Sequence, residues 1–476
     1  MGAALLIDFG STYTKLRAVD LGTGAILGAA QGPSTVTTDV NNGLDAALAD
    51  LEGKLGRLPE FERRLATSSA AGGLRMVTVG LVKELTAEAA RRAALGAGAK
   101  LVGTFAYRLT DGDIADIAAL QPDILLLAGG TDGGNADVIL HNAGKLATAA
   151  IGGSIIYAGN RSAADDARAA LEGGGKIVTV VENVMPEFNE LNIEPARAAI
   201  RQIFIDRIVQ AKGIDRASGR FDQVMMPTPA AVLEGARLLA EGTEEQAGLG
   251  ELLVVDIGGA TTDVHSIARG QPTMDGVVQL GLPEPFQKRT VEGDLGMRHN
   301  ADIIVETAGV ETIARDAGID AASVGKMLDA IRADVERLPQ NDAESGFDLA
   351  LARAAVKKAV ARHAGTHRMV QTVTGPATVQ EGKDLSDIKT IIGTGGALVH
   401  GRDPARVLKA ALADPALPEC LMPLRPRLVI DGEYLLYAVG LLAGVRPDAA
   451  FMLGSRHLVD LPRDDAQENE RVRHVS

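Results

Sequence analysis

Cysteine is almost missing: Cys420 is the sole example in 476 residues. One thiol excludes an internal disulfide, a cysteine-built zinc site and an iron–sulfur cluster held within one chain. Tryptophan is absent and aromatics make up only 3%, so the cores have to be assembled from Ala, Val, Leu and Ile. Long Lys/Arg runs are lacking too, and the formal net charge of −14 disfavours nucleic acid or an anionic membrane as a partner. No stretch approaches the ~20 uncharged apolar residues of a membrane-spanning helix. The opening, Met1–Gly10, lacks a basic n-region, and Asp8 interrupts its apolar run, unlike a secretion signal. These shortages predict a protein of the reducing cytoplasm. Hydrophobic residues at 46% and charged residues at 23% predict an ordered chain, and its length predicts two or three domains.

Glycine, in contrast, is abundant, with 55 residues. Ala4–Asp8, Lys15–Val19 and Ala25–Ala29 read as strands separated by turns at Gly10–Thr12 and Gly22–Gly24. Leu44, Leu48, Leu51 and Leu55 then have helical spacing. Arg64–Ala70 and Arg75–Leu81 read as two more strands. From about Glu84 to Asn183, short apolar strands alternate with helical segments, which predicts a parallel sheet covered on both faces. A second strand–turn–strand unit begins at Glu251, with Leu252–Ile257 and Thr261–Ala268. Helical segments follow at Ala301–Ala308, Ala321–Arg337 and Phe347–His363, and a strand at Thr390–Ile392.

Two motifs share one design. The first is Asp8-Phe9-Gly10-Ser11-Thr12-Tyr13-Thr14-Lys15; the second is Asp256-Ile257-Gly258-Gly259-Ala260-Thr261-Thr262-Asp263. In each, an Asp ends an apolar strand, where a carboxylate can hold Mg and its waters. Glycines follow, letting the backbone turn tightly and bring N–H groups to phosphate oxygens. Ser and Thr hydroxyls add donors without bulk, and Lys15 can lend positive charge to bound phosphates. Either motif alone fits an ordinary hairpin, since Asp-x-Gly is common turn chemistry. Two of them, each directly after an apolar strand, favour a phosphate-binding pair. A third element, Ile391-Ile392-Gly393-Thr394-Gly395-Gly396-Ala397, allows close backbone approach to an adenine and ribose, though it lacks the dinucleotide spacing.

Glu292 and Asp294, in Val291-Glu292-Gly293-Asp294-Leu295-Gly296, can polarise water or bind Mg. Acids favoured at a helix N-terminus are the competing reading. Leu125–Gly134 resembles an adenosine loop but falls in the strand–helix region, where ligands meet the C-terminal ends of strands. His141 reads as a helix-surface residue, His363 and His367 as a solvated pair, and Cys420 as a packed, unreactive thiol.

Phosphate loop, second phosphate loop and adenosine loop, in this order, resemble the superfamily of actin, sugar kinases and heat-shock chaperone ATPases. Within it, Leu6–Lys15, Ala128–Gly134, Leu253–Ser266, Val291–Arg298 and Ile391–His400 are similar to the MutL/GlmL-type accessory proteins of adenosylcobalamin-dependent glutamate mutase, and the similarity spans most of the chain. The resemblance implies an α/β fold of two actin-like ATPase (ribonuclease H-like) halves around a nucleotide cleft, with an inserted doubly wound parallel α/β domain. The expected division is 1–83 for the first half, 84–184 for the insert and 185–476 for the second half with helical additions. It further implies ATP/ADP and Mg as cofactors. Asp8 and Asp256 would position Mg and the attacking water; Gly10, Ser11, Thr12 and Gly258 to Thr261 would wrap the phosphates; Gly395 and Gly396 would lie under the adenosine. Ala260 departs from the family, where many members have a third glycine.

The implied function is a reactivating chaperone that releases damaged cobalamin from an inactivated mutase, with the mutase subunits as partners. The alternative is a small-molecule kinase or phosphatase, for which the sequence offers Glu292 and Asp294 but no acceptor-binding motif. Nothing supports an actin-like filament. Superfamily members that carry cysteine-bound iron–sulfur clusters are excluded by the lone Cys420.

Overall fold

The first strand, β1 (Ala3–Phe9), is buried along its whole length, as a strand covered on both faces has to be. It pairs antiparallel with β2 (Tyr13–Asp20), which pairs antiparallel with β3 (Ile26–Pro33). Helix α1 (Val40–Leu55) covers this meander with Leu44, Ala47 and Leu51, and β4 (Phe61–Ser68) returns parallel to β1. The computed structural model describes residues 2–10, 13–33, 35, 40–68, 75–211, 222–373 and 375–462.

After β4 the chain builds a second sheet. Strands β5 (Arg75–Gly80), β6 (Lys100–Ala106), β7 (Ile124–Leu127), β8 (Ser154–Tyr157) and β9 (Val178–Val180) are all parallel, in the order β6-β5-β7-β8-β9. Between them run α2 (Glu88–Gly96), α3 (Asp111–Ala119), α4 (Asp137–Thr148) and α5 (Ala164–Gly173). Numbered from its own first strand this is 2-1-3-4-5, a common doubly wound order. Helix α6 (Glu194–Ala211) leads back to β10 (Gln223–Pro227), which pairs parallel with β4 and completes a first sheet of order β10-β4-β1-β2-β3; α7 (Thr228–Glu241) follows. The division expected from sequence places the strand at 75–81 in the first half and all residues from 185 in the second half. Instead β5 is the central partner of β6 and β7, and residues beyond 185 return to the first sheet. An apolar strand fits either sheet, and only long-range hydrogen bonding chooses between them. The two sheets share a core in which Leu5, Ile7 and Phe9 cluster with Met76, Leu126 and Ile156.

The second unit repeats the plan. Strands β11 (Leu252–Ile257), β12 (Thr262–Ile267), β14 (Gln287–Glu292), β17 (Thr390–Thr394), β18 (Arg427–Asp431) and β19 (Leu458–Asp460) form a sheet of order β14-β12-β11-β17-β18-β19. A small sheet joins β13 (Val278–Leu280), β16 (Gly375–Glu381) and β15 (Thr366–Thr372). Helices α8 (Ala301–Ala308), α9 (Val310–Ala317), α10 (Ala321–Ala333), α11 (Asp342–His363), α12 (Gly396–Val399) and α13 (Pro404–Leu408) belong to this unit. Val255 and Ile257 cluster with Phe347, Leu351 and Val356 of α11. Helix α14 (Leu436–Ala443), buried at every position, and α15 (Pro447–His457) follow.

The chain divides into two compact units. The first comprises residues up to 238 with 281–283 and 436–453; the second comprises 239–280, 284–435 and 454 onward. In both, an antiparallel meander of three strands is extended by two strands parallel to its first. The registers match as well, Asp8 standing opposite Thr67 and Asp256 opposite Thr394. The protein is therefore an α/β chain with two actin-like, ribonuclease H-like sheets and an inserted doubly wound parallel sheet. Among the described residues no helix is long and apolar enough to cross a membrane.

Candidate functional site

In each meander the same backbone bond joins the end of the first strand to the start of the second. Gly10 N–H donates to Tyr13 O at 3.0 Å, and Gly258 N–H to Thr261 O at 2.9 Å. Ser11 and Thr12 lie outside the described residues. Asp8 is buried; its Oδ1 accepts hydrogen bonds from Thr67 Oγ1 at 3.1 Å and Thr228 Oγ1 at 2.7 Å. Burial raises its pKa, and Thr228, Lys15 and Thr67 oppose that shift. Lys15 faces Asp8 in register, and Thr14 is buried beside it. A buried carboxylate whose charge is opposed by desolvation, and whose two hydroxyl bonds both fall on one oxygen, fits a hard cation such as Mg.

The second hairpin is clasped from behind by residues 293–300. Met297 N–H donates to Gly258 O at 3.1 Å, Arg298 and His299 N–H donate to Gly259 O at 2.9 and 3.0 Å, and Asn300 Nδ2 donates to Ala260 O at 3.2 Å. Thr262 Oγ1 donates to Leu295 O at 2.7 Å. With the carbonyls so engaged, the Gly259 and Ala260 N–H groups meet no acceptor among the described residues, the condition for binding an anion. Ala260 is exposed and avoids the left-handed region, so its methyl group strains nothing.

The two hairpins differ in the residue that faces the leading Asp. Where Lys15 faces Asp8, Asp263 faces Asp256, a like-charge pair that is unfavourable by itself. The buried Arg289 donates to Asp263 Oδ2 at 3.1 Å, while Asp263 Oδ1 is buried with no donor among the described residues. Oxygen donors of this kind again suit Mg or its waters.

Glu292 and Asp294 are both held by Arg362. Nη1 donates to Glu292 Oε2 and Asp294 Oδ1 at 2.7 Å, and Nη2 to Asp294 Oδ2 at 2.8 Å. The guanidinium lowers the Asp294 pKa. Glu292 ends β14 and Asp294 lies in the turn after it, so neither caps a helix.

The third glycine segment adjoins the second hairpin. Gly395 follows β17 with φ +94°, and a Cβ there would stand 2.8 Å from Asp256 Oδ1 and against the Ile257 backbone. Gly393 and Thr394 are buried, Ala397 is half-buried and Gly396 is exposed. Two unforeseen side chains flank this segment. Tyr434 has φ 54°, rare for a bulky residue, and its hydroxyl is pushed up to about 12 by burial, Asp256 and Asp431. The His400 ring lies 6.0 Å from it. No local pattern announced Tyr434. Asp263 was readable as the position facing Asp256 once the hairpin register was assumed.

The histidine reading needs correction. His363 is fully buried, with Nε2 2.8 Å from Ser266 Oγ and Nδ1 2.8 Å from Thr290 Oγ1. The end of α11 packs onto β12 and β14, which a solvated surface pattern does not reveal, and His367 lies on β15 rather than on the helix. His141 is half-exposed on α4 with Nε2 3.1 Å from Leu109 O. Burial pushes the Cys420 thiol up to about 11. Residues 128–134 follow β7, where Asn160 and Asn183 hold them.

Paired sheets of one plan, each turning a Gly-bearing hairpin just after an Asp, define a protein of the actin-like ATPase fold. Residues 4–458 match the family described as MutL protein. The chain is 47% identical over 464 residues to Protein MutL of Clostridium tetanomorphum, spanning 96% of this chain and 100% of that protein. It belongs to the MutL protein family. Among solved structures it is similar to nucleotide-free acetone carboxylase, with a TM-score of 0.40 and 13% identity over 93% of this chain and 70% of that one. It is also similar to the activator of the 2-hydroxyisocaproyl-CoA dehydratase from Clostridium difficile with bound ADPNP, with a TM-score of 0.30 and 9% identity over 100% and 98% of the chains. The xylulose kinase from Bifidobacterium adolescentis gives 0.32 and 11% over 99% of each.

Proposed function

We propose that this protein binds and slowly hydrolyses ATP with Mg, and that the cycle drives release of damaged cobalamin from an adenosylcobalamin-dependent mutase such as glutamate mutase. The observation that carries the nucleotide reading is the convergence, in one unit, of Asp256, the unpartnered Gly259 and Ala260 N–H groups and the Gly395 segment. The N–H groups would receive phosphate oxygens, Gly395 would admit the adenosine, and His400 and Tyr434 would border it. In the other unit Gly10 and Lys15 would meet phosphate. Asp8 and Asp256 would hold Mg, which when bound offsets charge developing on the transferred phosphoryl group. ATP and ADP would favour different conformations, and the mutase would bind one of them better.

The alternative, a small-molecule kinase or phosphatase, needs a free base beside an acceptor. Glu292 and Asp294, the candidates for that task, are engaged by Arg362, which favours the chaperone reading. The test is ATP turnover by the purified protein, alone and with an inactivated cobalamin-dependent glutamate mutase, while corrinoid release is followed. Release coupled to hydrolysis is expected; hydrolysis with no release would return the kinase or phosphatase to first place. Asp256→Ala should lower Mg-dependent turnover by about a hundredfold or more, and wild-type turnover in that variant would refute the role given to Asp256.

A further inference from the structure

Behind the turn that clasps the second hairpin, α8, α9, α11, α13 and residues 412–420 line a cavity of about 1140 Å³. Its size lies just above the roughly 300–1,000 Å³ of small-molecule clefts. Apolar side chains contribute to its wall, with Leu295, Ile304 and Ile313 each 1% exposed. Its charged lining is basic: seven Lys and Arg side chains against four Asp and Glu, in a chain whose formal charge is −14.

Several of these cations already have partners. Arg353 meets Asp316 at 2.6 Å, Lys357 meets Asp414, and Arg362 holds Glu292 and Asp294. Lys358 is exposed on α11, and its charge acts on Asp294 without a direct ion pair to it among the described residues. None of Asp256, Gly258–Thr262 or Gly393–Ala397 lines the cavity, so it is separate from the nucleotide-binding segments. It nevertheless shares a wall with their support: Leu295 anchors Thr262 through its carbonyl, and Arg362 braces the turn.

We propose that this cavity is a second binding site, taking a multiply charged small anion whose acidic groups meet Lys358 and the neighbouring arginines while its carbon skeleton rests on the apolar wall. Polycarboxylates and polyphosphates share this chemistry, and two probes distinguish them. Citrate and inorganic pyrophosphate are titrated separately into the full chain by calorimetry, without Mg or nucleotide. At least one is expected to bind, with affinity falling about tenfold or more in Lys358→Glu, less in Lys358→Gln, and remaining unchanged in Asp256→Ala. Binding of citrate alone identifies a polycarboxylate site, and of pyrophosphate alone a phosphate site. Circular dichroism checks that the exposed substitutions leave the fold intact. The proposal is overturned if neither probe binds, if folded Lys358→Glu binds as wild type does, or if Asp256→Ala abolishes binding, which would place the anion on the phosphate hairpin. The ATP reading is tested separately by turnover and survives any of these results.

Discussion

Gly395 and Ala260 are two small residues in neighbouring loops with opposite tolerances. Gly395 holds φ +94°, and an added methyl group would press on Asp256 and the Ile257 backbone. Gly395→Ala should therefore cost about 1–3 kcal/mol of stability and displace the carboxylate assigned to Mg. Urea unfolding and ADP titration, the latter expected to weaken about tenfold or more, measure both effects. Ala260 is exposed on ordinary backbone, so Ala260→Gly should change ADP affinity by less than about twofold. The glycines and aspartates of both hairpins were legible because turn chemistry acts between close sequence neighbours. The Asp263–Arg289 pair and the approach of Tyr434 to Asp256 were not, because they join segments that meet only when strands pair.

At the scale of the element, β12 is covered on both faces, with His265 buried on one and Ser266 on the other. Burial, and then the charge of Arg289, holds the His265 pKa well below 6.5, so the native state keeps the ring neutral while the unfolded chain protonates it near the ordinary value. Below about pH 6.5 the unfolded state binds one more proton at this site, and stability falls as pH falls. His265→Leu should remove that contribution, reducing the slope of stability against pH by about 1.4 kcal/mol per pH unit below the ordinary histidine pKa. Urea midpoints for both proteins at pH 7 and pH 5 check it, and parallel curves would show the ring to be protonated in the native state. Elements with buried faces, β1, β11 and α11 among them, were readable from hydrophobic spacing. Strand β15 has no buried residue, so the small sheet it joins left no periodic signal to read.

Across the whole molecule, the duplicated plan of the two actin-like sheets was visible in the repeated Asp–Gly motif, whereas the membership of β5 in the insert and the return of the chain after it to the first unit were not. The inserted sheet has its own order of 2-1-3-4-5, and such sheets meet ligands at the carboxyl ends of their strands. That edge is firmly built. Asn160 accepts from Gly133 N–H at 3.1 Å and donates to Gly134 O at 3.1 Å, Asn183 donates to Gly130 O at 2.9 Å, and Asp132 N–H reaches Pro186 O at 2.8 Å. In a chain with only 3% aromatics, the loops at this edge leave Tyr107 57% and Phe188 69% exposed. Exposed aromatics beside a rigid loop are the usual anchors of a protein interface. On the chaperone reading they contact the mutase. Tyr107→Asp and Phe188→Asp should each weaken binding of the inactivated mutase about tenfold or more. Their ADP affinity and basal ATP turnover should stay as in the wild type, because neither residue lies among the segments proposed to meet phosphate or adenosine. Calorimetry with the inactivated mutase measures the first effect and a phosphate-release assay the second. Wild-type affinity in both variants would place the mutase on another surface, whereas joint loss of mutase binding and turnover would show that the edge supports the fold rather than the partner.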